Sequence, residues 1–101
     1  MSHLKITLSC PAMLGEQVIE YLLESEWMAG GFTTFSASGH GRDFSRSSLR
    51  EQVRGRVDTI VIVAILPAAG VPPLLTELKD RFASPHMVYW IEQVHAFGDL
   101  G

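Results

Sequence analysis

Four arginines recur at intervals of four residues, Arg42, Arg46, Arg50 and Arg54, and Arg56 follows close behind. The guanidinium is always charged and presents a planar fork that pairs bidentately with carboxylates and phosphates. Residues four apart are neighbours on a helix, so a helical conformation of this stretch would align the arginines along one face. Ser45, Ser47 and Ser48 lie between them. Like charges repel in the free chain, so the stretch is expected to order when it meets a partner's acidic groups. This is docking chemistry rather than bond-making chemistry.

A second set of residues has ligand character. Cys10-Pro11-Ala12-Met13 places a thiol and a thioether three apart, and both are soft ligands suited to Cu(I). His3, His40, His86, Met87 and His95 add imidazoles and a further thioether. No paired CxxC or HxxxH spacing accompanies them. One reading packs Cys10 and Met13 in the core and leaves the histidines as ordinary surface residues. The other assigns His40, Cys10 and His86 to a transition-metal site for Cu, Zn or Ni, shared between subunits. Catalysis has no comparable candidates: there is no nucleophile elbow, no activated Cys–His setting and no evident carboxylate pair. The chain is therefore expected to be a binding protein and not an enzyme. Glu16, Glu20 and Glu24 are helix-spaced and read as a solvated face.

The charge distribution sharpens the docking reading. From Arg42 to Arg56, five arginines face Asp43 and Glu51, a local +3; elsewhere Lys5, Lys79 and Arg81 face nine acids, a local −6. A nucleic-acid binder presents a broad basic face, whereas this chain concentrates its positive charge, which suits a protein partner with an acidic surface. With 101 residues, 47% of them hydrophobic, the chain can bury one core and form a single domain over 1–101. No apolar run approaches the roughly 20 residues that span a bilayer, and no signal peptide or membrane insertion is expected. A lone cysteine, Cys10, fits a reducing cytoplasm.

The elements that must position these residues follow from periodicity. His3 to Ser9 alternates, with Leu4, Ile6 and Leu8 on one side, and predicts a half-buried strand. Pro11 suits a helix start; Leu14, Val18, Tyr21 and Leu22 form one helical face, and Gly30-Gly31 is expected to end it. Phe32 to Ser38 predicts a second strand. Val57 to Leu66 is apolar almost throughout and predicts a central strand buried on both faces. Val71, Leu74, Leu75, Leu78 and Phe82 mark a second helix that opens with Pro72 and Pro73. A last strand is expected from Met87 to about Phe97. The order β-α-β-β-α-β predicts an α+β, ferredoxin-like domain, an antiparallel sheet with two helices on one face. The connection from Gly39 to Arg56 is far longer than the hairpin that would suffice between the second and third strands.

The segment Gly31-Phe32-Thr33-Thr34-Phe35-Ser36-Ala37-Ser38-Gly39-His40-Gly41-Arg42 resembles the PII signal-transduction proteins, whose second strand ends in a G-x-G-R element opening a long T-loop. The resemblance extends over the whole chain in order of elements. It implies a homotrimer with T-loops, here about 39–56, projecting from its rim. It also implies a ligand cleft between subunits near Gly39, His40, Gly41 and Arg42. The sequence departs from the family where nucleotide would bind. The connection Ala83-Ser84-Pro85-His86 has no glycine, no basic residue follows Arg81, and Asp43 replaces the glutamine after G-x-G-R. A phosphate site needs closely approaching N–H groups and cations, so ATP in the usual PII mode is not expected. The chain is similar to a small PII-like group of unknown function associated with heavy-metal efflux systems. That likeness implies a membrane transporter as the protein partner of the arginine arm. Two alternatives are a metal-tolerance protein resembling CutA and an adenine-nucleotide sensor with an altered site.

Overall fold

The computed structural model describes residues 2–41 and 56–101. Within them the chain runs β1 (His3–Pro11), α1 (Ala12–Glu24), β2 (Thr33–His40), β3 (Arg56–Pro67), α2 (Val71–Phe82) and β4 (Val88–Gln93). Short 3-10 turns at Glu26–Met28 and Ala68–Gly70 precede β2 and α2. The strands form one antiparallel sheet in the order β2-β3-β1-β4. The result is a small α+β domain consistent with a ferredoxin-like fold.

The period of two divides each strand between the faces of the sheet. One face carries Ile6, Leu8 and Cys10 of β1 and Ile62, Ala64 and Leu66 of β3, all buried. Val18 and Leu22 of α1 and Val71, Leu74 and Leu78 of α2 close over them in a single cluster. Gly15 lets α1 sit close to the sheet, since a Cβ there would meet Ile60 Cγ1 at 2.7 Å.

Three expectations are adjusted. Helix α1 ends at Ser25 and does not reach Gly30-Gly31. Ser25 turns extended (φ −75°, ψ 130°), its N–H donates to Leu22 O, and its hydroxyl accepts from Trp27 N at 3.3 Å. The cap starts a new 3-10 turn, which satisfies N–H groups that a longer helix would have bonded. Gly31, at φ +89°, instead makes the turn into β2. Strand β4 stops at Gln93 rather than near Phe97, because its pairing with β1 ends at Leu4↔Gln93. Strand β3 is not buried on both faces along its length: on the side away from the helices Val57 and Thr59 are buried, whereas Val61, Val63 and Ile65 are half-buried, with no second layer over them among the described residues.

Candidate partner interface

The arm begins where two paired strands diverge. Gly39 pairs with Val57 and His40 with Arg56, the last rung of the β2–β3 ladder. Gly41 then leaves the strand with φ +152°, a conformation that an L side chain disfavours and glycine adopts freely. This gives the second glycine of G-x-G-R a physical role at the root of the arm. Arg42, Arg46, Arg50 and Arg54 lie outside the described residues; Arg56 is the first residue of β3 and is half-buried. Both strand ends lie beside the β1-to-α1 junction, because β1 finishes at Pro11 opposite Thr59. The sheet thus delivers both ends of the arginine-bearing connection to one end of the molecule.

The proposed metal ligands are spread across that end. Cys10 is fully buried in the core, and burial pushes its thiol up to about 11. A protonated, enclosed thiol is a poor ligand, because the thiolate is the form that binds metal. Met13, three residues on, is 85% exposed, so the C-x-x-M pair diverges into core and solvent. His40 belongs to edge strand β2, whereas His86 precedes β4 at the opposite edge, with β3 and β1 between them. Among the described residues no three His, Cys, Asp or Glu side chains converge as a metal site. Glu16, Glu20 and Glu24 are exposed, as a solvated face requires.

A further surface is the open face of the sheet. Register places Trp90 and Val63 on either side of Thr7, with Val61 beside Phe35 and Val88 beside Ser9. Phe35, Trp90 and Val88 are about half exposed, at 51%, 46% and 48%. Lys5 Nζ and Glu92 Oε1, 3.5 Å apart, mark one polar corner of this face. The signal available in the sequence was the apolar character of β3 at both parities: one parity faces the helices, the other has no covering layer among the described residues.

The helix side is acidic. Glu20, Glu24, Glu26, Glu77 and Asp80 surround a groove between α1 and α2. Tyr21 bridges it, donating to the Glu77 carboxylate, with the Arg81 guanidinium 4.9 Å from its ring centre and Phe82 edge-on at 5.8 Å. Partial burial, then the bond to Glu77, pushes the phenol up to about 12.

Fold and site together define a ferredoxin-like α+β domain with one open apolar sheet face and a long basic connection between β2 and β3. The chain belongs to the DUF3240 family, described as a protein of unknown function, whose pattern matches residues 1–101. A crystal structure of a DUF3240 family protein from Shewanella baltica superposes with a TM-score of 0.79 at 21% identity, covering 100% of this chain and 99% of that one. A Bacillus cereus protein related to NIF3 superposes with a TM-score of 0.60 at 19% identity. There the match covers 94% of this chain and 26% of the other. No curated protein matches. Among the described residues, no helix is long and apolar enough to cross a membrane.

Proposed function

We propose that this chain is a PII-like regulatory protein of the cytoplasm that acts by binding. The basic arm from Gly39 to Arg56 docks on an acidic protein surface, and the partner class is a heavy-metal efflux transporter. Three copies associate through their open sheet faces, and a small ligand held between subunits near Gly39–Arg42 shifts the population of arm conformations. The observation that carries the reading is the geometry of the arm's root. The G-x-G element ends β2, Arg56 opens β3, and five of the chain's six arginines fall between Arg42 and Arg56 of an otherwise acidic chain.

The test is a capture assay with an efflux transporter of the heavy-metal class as bait. Replacing Arg46, Arg50 and Arg54 together with alanine should abolish capture while the oligomer persists, because long-range attraction and carboxylate pairing both reside in those side chains. Capture that survives the triple substitution would remove the arm from the mechanism. ATP, ADP and AMP are expected to leave the melting temperature unchanged; a dose-dependent rise with any of them would favour the altered nucleotide site instead.

A further inference from the structure

At the C-terminal end of α2 the helix, β1 and the start of β4 leave a half-open cavity of about 150 Å³. Its walls are apolar: Leu8 from β1, Leu75, Leu78 and Phe82 from α2, and Met87 ahead of β4. Polar character enters through Lys79, Ser84 and Tyr89. Ser84 Oγ already accepts from His86 N at 3.2 Å, which leaves its O–H free to donate outward. Lys79 is exposed, has no carboxylate partner among the described residues, and no acidic side chain lines the cavity. This lining contrasts with the groove on the other side of α2, which is ringed by acids.

Size and charge together select a ligand class. A cavity on the order of 150 Å³ lined by aliphatic and aromatic side chains is large enough to hold one benzene ring. Ligand pockets of this kind use an apolar body for affinity and one or two polar groups for orientation. We propose that this cavity binds a small monocarboxylate bearing a single ring or a short hydrocarbon chain. The hydrocarbon packs against Leu8, Leu75, Leu78, Phe82 and Met87, and the carboxylate lies at the rim, facing the Lys79 ammonium and the Ser84 hydroxyl. The site lies within one chain and is independent of the arm.

Methyl-resolved NMR of the full chain, titrated with benzoate, hexanoate and benzyl alcohol, tests it. Saturable shifts of the Leu8, Leu75, Leu78 and Met87 methyls are expected with benzoate and hexanoate, with Kd on the order of 1 mM. Lys79→Gln should weaken benzoate roughly threefold or more, the effect of one exposed ion pair, while benzyl alcohol binding stays unchanged. Ala83→Trp, at an exposed rim position, should block all three ligands with the fold intact by circular dichroism. Shifts that fail to saturate, that fall elsewhere, or that ignore both substitutions overturn the proposal.

Discussion

Cys10 shows how burial decides what a side chain can do. The thiol sits in the core beside β3, and its ionisation is pushed from 9.0 to about 11 by loss of solvent. Thiol-directed reagents should therefore react slowly with the native chain and at the ordinary rate once it is unfolded in denaturant; equal rates would contradict the buried placement. The same shift has a signed effect on stability. The folded state holds the proton more tightly, so its contribution is present below pH 9.0 and is lost as pH rises to about 11. Across that window the stability of Cys10→Ala should fall less steeply than that of the parent chain, as read from urea midpoints. Titration with Cu(I), Zn(II) or Ni(II) should give the same affinity for both, and a tenfold loss in the variant would restore Cys10 as a ligand. Gly15 is the complementary case. A methyl there points at Ile60 Cγ1 from 2.7 Å, close to the branch of a side chain with little room to move. Alanine gains about 1 kcal/mol of helix propensity, but overpacking costs about 1–3 kcal/mol. Gly15→Ala should therefore lower the urea midpoint, with a net loss of about 1 kcal/mol; an unchanged or raised midpoint would mean α1 can lift from the sheet.

At the scale of elements, the two helices are tied by Tyr21 and Glu77 across an exposed groove. Tyr21→Phe keeps the edge contact with Phe82 and deletes the O–H donor, so a loss of about 0.5–1 kcal/mol is expected, typical of one such hydrogen bond. The substitution should also remove the phenol titration that is shifted from 10.0 to about 12, visible as a missing ultraviolet transition at alkaline pH. This tie joins residues 56 apart in the chain and was not legible in the sequence. What was legible obeyed local rules. The period of two in Leu4, Ile6 and Leu8, the helical spacing of Val71, Leu74 and Leu78, and the opening prolines of α2 all matched the structure. The boundaries that moved depend on partners rather than on composition: Ser25 ends α1 by capping the next turn, and β4 ends where its ladder with β1 stops at Leu4↔Gln93. The G-x-G opening of the arm was readable because glycine at 41 answers a backbone requirement, φ +152°. The aromatic excess of the last strand, Tyr89-Trp90-Ile91, hinted at an exposed apolar face, but the cavity beside α2 was not legible, since it needs the placement of three separate segments.

For the whole molecule, three chemically distinct surfaces point in different directions: an acidic helix side, an apolar open sheet face, and one end that carries the roots of the basic arm. Phe35, Val88 and Trp90 are exposed and Val61 and Val63 half-buried on a sheet face that no second layer covers among the described residues, and a contiguous exposed apolar patch marks an interaction surface. Under the proposed trimer this face is the assembly surface, and the arms remain free for a partner. The two roles can be separated by one substitution each. Val63 is opposite both Thr7 and Thr33, at the centre of the open face. Lysine at this half-buried position can extend its ammonium to water in a monomer but would be enclosed, uncompensated, between packed sheets. Val63→Lys should therefore convert the trimer to a folded monomer by light scattering, with an unchanged far-ultraviolet dichroism spectrum. The triple arginine substitution in the arm should stay trimeric. Salt should divide the two interactions as well. An apolar assembly is insensitive to the change from 0.05 to 0.5 M salt, whereas arm docking between opposite charges weakens as the screening length contracts from roughly 14 to 4 Å. A Val63→Lys chain that remains trimeric would place the assembly surface elsewhere and leave the open face to a different protein.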